Sequence, residues 1–256
     1  MPCSDTFDTA SEFAGQQAIV TGAAHGIGLA VARRLVAGGA AVIALDKDAA
    51  RLAAAFPANE CTPLVADLEL ADPVELGDRI VAEYGPIQLI VNNVGISTPH
   101  DFLHVEPEEF DAVFGANLRG PWFVTRQLVR ALVASRERGA VLFVTSLHDT
   151  HVRMHPHYSA SKAAVAMLAK ELAHELGPHQ IRVNVVAPGW IRTEEHIEPQ
   201  DAATLIRRIP AGRPGDPQDI ASLAAALLSD RRSAYVTGAR LTIDGGLSLH
   251  TWLMDV

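Results

Sequence analysis

The feature that most constrains the fold of this 256-residue chain is the alternation of short apolar runs with longer amphipathic stretches. Seven runs are continuously apolar, as strands covered on both faces are: 18–20, 41–45, 64–65, 87–91, 140–144, 183–186 and 241–243. Four stretches between them, 30–37, 73–84, 110–134 and 160–176, have helical periodicity. This alternation implies right-handed crossovers. The sequence therefore predicts a single-domain α/β fold, a doubly wound parallel sheet of about seven strands flanked by helices.

Composition narrows the possible partners. A net charge of −9 argues against a nucleic-acid-binding protein, and no apolar run reaches the length needed to cross a membrane. The two cysteines, Cys3 and Cys61, are too few for a disulfide framework. We expect a cytoplasmic protein in which 15–256 form one domain and the polar, acidic residues 1–14 form a flexible tail.

A glycine-rich segment follows the first apolar run. It reads Thr21-Gly22-Ala23-Ala24-His25-Gly26-Ile27-Gly28 and opens into the first helical stretch. Glycines allow a tight turn and let the backbone approach a pyrophosphate, while the helix N-terminus offers free N–H groups to phosphates. A turn of this kind is also common without a ligand, but its position between a strand and a helix is typical of a Rossmann-type dinucleotide site.

Acidic residues end the second and third runs and indicate which dinucleotide is bound. Asp46 is placed to accept hydrogen bonds from the adenosine ribose hydroxyls and would repel a 2′-phosphate, which favours NAD over NADP. Lys47 and His25 are the counter-evidence, since either could face a 2′-phosphate. Asp67, followed by Leu68, lies where a carboxylate could receive the adenine amino group.

The fourth run ends in Asn92-Asn93-Val94-Gly95. Asparagine tolerates unusual backbone angles and can tie neighbouring strands together, and Gly95 leaves space for a ribose. The position at the carboxyl end of a strand, where ligands bind to such sheets, makes this segment a predicted part of the cofactor site.

The fifth run delivers Thr145-Ser146, and twelve residues after Ser146 comes Tyr158, four residues before Lys162. This last spacing puts the phenol and the ammonium on one helix face. A phenol has a pKa of about 10 and is a poor base near neutrality, but a nearby cation stabilises the phenolate and lowers that pKa. The pair therefore predicts an acid–base site.

Taken in order, these motifs resemble those of the short-chain dehydrogenases/reductases across about residues 16–247. The matching set is the 21–28 turn, Asp46, Asp67, Asn92 to Gly95, Asn117, Ser146, Tyr158, Lys162, Arg182-Val183-Asn184, Pro188-Gly189 and Asp244-Gly245-Gly246. The resemblance implies an NAD(P)-dependent enzyme that acts on CH–OH donors.

The resemblance also implies roles for individual residues. Tyr158 would exchange a proton with the substrate, Lys162 would bind the nicotinamide ribose and depress the Tyr158 pKa, and Ser146 would hydrogen-bond the substrate oxygen. Asn117 would hold a water that links Lys162 to solvent. Residues at the nicotinamide end would be Pro188, Gly189, Ile191 and Thr193, with Trp190 against the substrate and residues 190–210 as a mobile lid.

Two departures from the family pattern stand out. Val94 replaces the usual alanine, which should only tighten packing. The usual spacing from serine to tyrosine is thirteen residues, so Thr145 has the family spacing and Ser146 is one residue short. We prefer Ser146, with a one-residue deletion in the following loop, and keep Thr145 as the alternative hydroxyl.

Four histidines, His148, His151, His155 and His157, fall in that loop. Their spacing is irregular and Pro156 would break a helix that aligned them, so we predict no metal site. Loop position favours polar contact with the substrate, His148 first, although plain surface histidines would look the same.

The polar loop, together with similarity of its segments to those of sugar and polyol dehydrogenases, predicts oxidation of a sugar or polyol hydroxyl. The alternatives are a reductase of a small ketone or 3-oxoacyl thioester and, outside enzymes, a dinucleotide-sensing regulator. The apolar C-terminus, with Leu249, Trp252, Leu253 and Met254, predicts packing against a partner subunit or within its own subunit, and the family resemblance suggests a homotetramer.

Overall fold

The computed structural model describes residues 9–57, 60–152, 154–194 and 202–249. Its strands are β1 Gln17–Thr21, β2 Ala41–Asp46, β3 Thr62–Val65, β4 Leu89–Asn92, β5 Gly139–Val144, β6 Ile181–Pro188 and β7 Arg240–Ile243. Its helices are α1 Gly26–Ala37, α2 Ala49–Ala55, α3 Pro73–Tyr84, α4 Pro107–Phe114, α5 Gly120–Ser135, α6 Pro156–Leu176, α7 Ala202–Arg207, α8 Pro217–Leu228 and α9 Asp230–Ser233.

In the described part of the chain the seven strands form one parallel sheet in the order β3-β2-β1-β4-β5-β6-β7. The chain moves from β1 outward to β3, then crosses back to β4 on the other side of β1 and continues to β7. Ile19 of β1 pairs with Ile43 of β2 and with Ile90 of β4. The connections therefore diverge between β1 and β4, which opens a crevice at the carboxyl ends of these strands. The predicted fold class is confirmed.

The core consists of two apolar layers, one on each face of the sheet. Val20 and Leu142 point toward α1 and α8 and share a cluster with Leu35 and Ile220. Ile19 and Phe143 belong to the other cluster, which contains residues of α3, α5 and α6. Strands β4, β5 and β6 are buried along their whole length, which explains why their sequences are continuously apolar rather than alternating.

The amphipathic stretch 110–134 was expected to form one helix. The structure begins this helix at Pro107, where Glu106 and Glu109 form a capping box, and continues it to Ser135. A five-residue π-helical segment, Gly115–Arg119, joins α4 to α5 and contains Asn117. Such wide turns are frequent at functional sites, and this one contains a predicted site residue.

The predicted flexible tail at 1–14 is wrong for its inner part. Residues 1–8 lie outside the described residues, but Phe13 is 1% exposed and its N–H donates to Gly38 at 2.7 Å. The carboxylate of Glu12 is buried between Arg34 and Arg232, at 2.5 and 2.8 Å. The polar composition hid this anchor because both contacts are made with residues distant in sequence.

The predicted lid is only partly described. Residues 195–201 of the 190–210 range lie outside the described residues. On either side of them, Trp190 and Ile209 are buried and pack with Leu147 and Leu247, and α7 supplies Leu205 and Ile206 to the same cluster. Motion of this segment stays a prediction.

Candidate active site

A cavity of about 460 Å³ lies in the crevice between β1 and β4. Ten residues predicted from the sequence to bind the cofactor line it: Gly22, His25, Gly26, Ile27, Asp46, Asp67, Leu68, Asn93, Gly95 and Thr193. They come from the ends of β1, β2, β3 and β4, and from the segment after β6. The sheet therefore gathers residues that are up to 171 positions apart in the sequence.

The glycines of this cavity fit a dinucleotide for reasons that the backbone shows. Gly22 and Gly26 adopt φ angles of 65° and 55°, which favour glycine. A Cβ at Gly28 would collide with the carbonyl oxygen of Gly22, so this glycine allows α1 to pack against the β1 turn. Among the described residues no side chain caps the N-terminus of α1, which leaves its first N–H groups directed at the cavity.

Asp46 is buried at the end of β2 and its carboxylate is held by backbone groups. Its Oδ2 accepts a hydrogen bond from Ala24 N and its Oδ1 accepts one from Asp48 N, both at 3.0 Å. Lys47 Nζ lies 3.7 Å from Oδ2 of Asp67, and Arg51 also lines the cavity. The ribose end of the cavity thus combines one fixed buried carboxylate with two exposed or half-exposed cations.

Asn93 ties β4 to the glycine turn, as its residue type predicted. Its side-chain amide donates to Thr21 O at 3.0 Å and to Gly22 O at 3.3 Å. Its backbone N–H donates to the Thr21 hydroxyl at 2.9 Å. Thr21 was not singled out from the sequence. Its carbonyl oxygen and its hydroxyl accept these hydrogen bonds and hold the ends of β1 and β4 together.

A smaller cavity of about 250 Å³ adjoins the first one and shares Ile27, Asn93, Gly95 and Thr193 with it. It is lined by the remaining predicted residues of the nicotinamide and substrate sites, except Asn117 and His148: Ser146, Tyr158, Lys162, Pro188, Gly189, Trp190 and Ile191. The two cavities form one groove along the carboxyl edge of the sheet. A dinucleotide in the larger part would place its reactive end in the smaller part.

The two hydroxyls that the sequence left as alternatives have different environments. Thr145 is 4% exposed, and its hydroxyl lies 2.8 Å from Oδ2 of Asp149 and 3.3 Å from Val186 O. Ser146 hydrogen-bonds to Tyr158 and accepts a weak hydrogen bond from His148 N at 3.4 Å. The Thr145 hydroxyl is thus committed to the protein, whereas the Ser146 hydroxyl stands beside the phenol.

The electrostatics of the pair differ from the sequence expectation. Burial raises the pKa of the Tyr158 phenol above its ordinary value, the Asp149 carboxylate adds to this, and only the hydrogen bond from Ser146 opposes it. Burial lowers the pKa of the Lys162 amine to about 8. Lys162 Nζ lies 5.7 Å from the centre of the Tyr158 ring and donates to Val144 O at 3.2 Å. A cation that is itself destabilised by burial does not bring the Tyr158 pKa down in this structure.

Asn117 lies next to Lys162 but its side chain is already engaged. Its Oδ1 accepts from Ile96 N at 2.8 Å, and its Nδ2 donates to Ile96 O and to the Ser161 hydroxyl, each at 3.0 Å. Asn117 therefore fixes the segment after β4 against α6. The predicted role of holding a water beside Lys162 stays a prediction.

The four histidines of the loop between Ser146 and Tyr158 have different surroundings. The His148 ring meets the Tyr158 ring edge to face at 5.0 Å, but lines a third cavity of about 590 Å³ rather than the 250 Å³ one. His151 and His155 line the same third cavity, with the apolar side chains of Phe102, Leu103, Val152 and Met154. His157 is buried and its Nε2 lies 2.8 Å from the Thr98 hydroxyl. In the described ranges no three His, Cys, Asp or Glu side chains are grouped so that they could hold a metal ion.

One buried ion pair beside the site has no signal in the sequence. The side chain of Asp149 is fully buried and binds Arg240 of β7 through two contacts, at 2.5 and 2.9 Å. Asp149 sits in the histidine-rich loop, where a carboxylate is unremarkable, and its partner is 91 residues away. No local signal could have connected the two.

Comparison with known proteins agrees with this geometry. Residues 22–248 match a family model described as enoyl-(acyl carrier protein) reductase. The chain is 38% identical to D-erythrulose reductase of Gallus gallus, over 91% of this chain and 96% of that protein. It is 36% identical to a 3-oxoacyl-[acyl-carrier-protein] reductase of Thermotoga maritima, over 91% and 98%.

Comparison with solved structures agrees with these sequence matches. A short-chain type dehydrogenase/reductase from Mycobacterium marinum superposes with a TM-score of 0.85 at 33% identity, covering 93% of this chain and 98% of that one. The chain belongs to the short-chain dehydrogenase/reductase family. This family member is an oxidoreductase that uses a nicotinamide cofactor and acts on CH–OH groups. A candidate 2-deoxy-D-gluconate 3-dehydrogenase from Agrobacterium tumefaciens, crystallised with NADP, has a TM-score of 0.86 at 33% identity and covers 95% and 100% of the two chains.

Within the part of the chain that the structure describes, no helix is both long and apolar enough to cross a membrane.

Proposed function

We propose that the enzyme interconverts a secondary hydroxyl group of a sugar or polyol and the corresponding carbonyl group, with NAD as its cofactor. The observation that carries this proposal is the meeting of Ser146, Tyr158 and Lys162 in one small cavity that continues into the dinucleotide cavity. The bound nicotinamide would supply or accept the hydride. Everything else in the reaction would depend on side chains of the chain itself.

Tyr158 holds the proton that the substrate oxygen loses or gains. In the oxidation direction it must act as a base, so its raised pKa has to be offset when cofactor and substrate are in place. Lys162 is the nearby group that can do this: with a pKa of about 8 its amine is mainly protonated near neutrality, and its positive charge favours the phenolate. Ser146 donates a hydrogen bond to the same substrate oxygen and stabilises charge that develops there.

NAD is the proposed cofactor because the Asp46 carboxylate is fixed at the ribose end of the cavity by Ala24 N and Asp48 N. A 2′-phosphate would place its charge against this carboxylate. The NADP-bound relative and the cations Lys47 and Arg51 support the opposite choice. We expect the enzyme to prefer NAD. Asp46→Asn, which keeps the size of the side chain and one acceptor oxygen but removes the charge, should shift the kcat/KM ratio toward NADP by about 10-fold or more.

Equal use of both cofactors by the natural enzyme, with no change in the ratio for Asp46→Asn, would contradict the NAD assignment. Asp72→Asn is the matched control, since Asp72 is also a helix-capping acid, on α3 through Val74 N and Glu75 N, but does not line the cavity. It should leave the ratio unchanged.

The sugar or polyol class is supported by the Ser146 hydroxyl, which lines the same cavity as Tyr158, and by the name of the D-erythrulose reductase relative. The test is a substrate panel of D-erythrulose, L-xylulose, galactitol and acetoacetyl thioester with both cofactors. Turnover of the ketoses or the polyol, reduced at least about 100-fold in Tyr158→Phe, is the expected result.

The second candidate is reduction of a 3-oxoacyl thioester. It is favoured by the third cavity, where Phe102, Leu103, Val152 and Met154 could cover an acyl chain, and by the 36% identity to a 3-oxoacyl reductase. Activity confined to the thioester would replace the sugar proposal. Dinucleotide binding without turnover of any compound in the panel would instead favour a dinucleotide-sensing regulator.

We also propose that the enzyme is a cytoplasmic homotetramer. Trp122 of α5 and Met167 of α6 are 45% and 56% exposed, and burying such side chains between subunits would be favourable. Of the apolar C-terminal residues predicted to pack against a partner or within their own subunit, Leu249 is 71% exposed, and Trp252, Leu253 and Met254 lie outside the described residues. Light scattering would decide, and a monomer would contradict the proposal.

A further inference from the structure

Among the described residues, Asp149 is the carboxylate whose charge acts on both Tyr158 and Lys162. It raises the pKa of Tyr158 and opposes the lowering of the Lys162 pKa. Its side chain has no exposed surface, and a buried carboxylate requires compensation. The compensation comes from β7, where Arg240 approaches Asp149 with Nε on Oδ2 at 2.9 Å and Nη2 on Oδ1 at 2.5 Å.

The same carboxylate closes the turn that carries Ser146. The Thr145 hydroxyl donates to Oδ2 of Asp149 at 2.8 Å, and Asp149 N donates to Ser146 O at 3.1 Å. Ser146 is thus enclosed by contacts between the residue before it and the residue three positions after it. The short helical turn Leu147–Asp149 cannot change direction without breaking them.

Arg240 anchors this turn to the sheet. Its Nη1 donates to the Thr242 hydroxyl at 2.7 Å, and its Nη2 also reaches the Thr150 hydroxyl at 3.3 Å. β7 pairs in parallel with β6, whose last residue, Pro188, lines the catalytic cavity. The loop between Ser146 and Tyr158 is therefore held to the sheet by an ion pair.

We propose that Asp149 and Arg240 are a positioning pair that holds Ser146 beside Tyr158 and balances the charge felt by both catalytic groups. The inference rests on the proposed roles of Ser146, Tyr158 and Lys162. Neither member of the pair touches the reacting atoms, so each acts through the residues it orients.

The groups that face Tyr158 determine what a charge change would do. Lys162 lies on the same helix, His148 and Asp149 come from the turn after β5, His155 contacts His148 from the start of α6, and Arg240 stands behind Asp149. Removing the negative charge at Asp149 leaves a positive surplus, whereas removing the positive charge at Arg240 leaves an uncompensated carboxylate. The two changes should therefore shift the ionisation of the catalytic pair in opposite directions.

The experiment compares pH profiles of kcat for Asp149→Asn and Arg240→Gln. We expect the acidic limb to move down by about one pH unit in Asp149→Asn and up by a similar amount in Arg240→Gln. Both variants should lose about 10-fold in kcat, with a much smaller change in KM. Thr145→Val removes one hydroxyl and no charge, so it should lower kcat and leave the limb in place.

Asp230→Asn is the matched control. Asp230 pairs with Arg182 at 2.9 Å, far from the site, and its loss should change neither kcat nor the limb. Shifts of the same sign in both charge variants, or no shift in either, would overturn the proposal. If Asp149→Asn does not fold, Arg240→Gln alone tests the proposal. An acidic limb that does not move to higher pH in folded Arg240→Gln would then overturn it.

A readout without turnover separates this inference from the proposed function. The chain has three tyrosines, so NMR of isotope-labelled tyrosine can follow the Tyr158 phenol directly, assigned with Tyr158→Phe. Opposite titration shifts in the two variants would support the pair even if no substrate in the panel were turned over. If the variants turn over substrate but the titration of Tyr158 is unchanged in both, the positioning pair is refuted and the proposed function is not.

Discussion

Gly95 lines both cavities beside Lys162, and replacing it with alanine tests whether the position of Lys162 limits the reaction. A Cβ on Gly95 would lie 2.6 Å from Lys162 Nζ and 3.2 Å from its Cε. Ordinary contact begins at 3.4 Å, so the amine must move by about 0.8 Å. It cannot do so freely, because Lys162 is 3% exposed and its Nζ donates to Val144 O at 3.2 Å.

The expected cost follows from this displacement. A misplacement of about 1 Å in a catalytic group lowers the rate about 100-fold, so kcat of Gly95→Ala should fall by about that factor. The colliding atom is the end of a side chain, so the overpacking cost should stay between about 1 and 3 kcal/mol of unfolding free energy. The Gly95→Ala variant should therefore be a folded enzyme of low activity.

The assay measures kcat, KM and the urea unfolding midpoint of Gly95→Ala and of Gly177→Ala. Gly177 ends α6 with φ −50° and ψ −48°, and no heavy atom of the described residues lies within 4 Å of its would-be Cβ. That variant should keep full activity and gain about 0.4 to 1 kcal/mol. A Gly95→Ala enzyme within about three-fold of normal kcat would refute the claim that Lys162 must stand where the structure has it.

Three further predictions test other parts of the site and fold. Ser146→Ala should lower kcat about 100- to 1,000-fold, and near-normal turnover would move the substrate hydroxyl role to Thr145. Lys162→Met should abolish activity yet stabilise the cofactor-free protein at pH 7 by up to about 3 kcal/mol, because burial has lowered the Lys162 pKa from 10.5 to about 8. That gain should shrink as pH rises from 8 toward 10.5, since Lys162 of the natural protein loses its buried charge over this range. A stability difference between the two proteins that stays constant across this range in thermal melts would contradict the prediction. Phe13→Ala should cost about 3 to 5 kcal/mol in chemical denaturation, whereas a value near zero would restore the flexible tail.

The chain's apolar pattern was sufficient to predict its sheet. Each of the seven strands overlaps one of the apolar runs, and the five that are largely buried, β1, β2, β4, β5 and β6, leave no room for alternation. The glycine turn, Asp46 and the Tyr158–Lys162 spacing likewise indicated a dinucleotide oxidoreductase, since each motif is local. Turn geometry, strand ends and helix faces are set by residues within a few positions of one another.

Contacts between distant segments were beyond the sequence. The buried Glu12 bridge, the engagement of Asn117 by Ile96 and Ser161, and the Asp149–Arg240 pair each join residues with no shared motif. The pKa of Tyr158 also depends on the tertiary structure: the sequence placed a cation four residues away, but burial of both groups determines the direction of the shift. A sequence names the groups that can react; desolvation and distant charges, which only the folded chain assembles, decide their protonation.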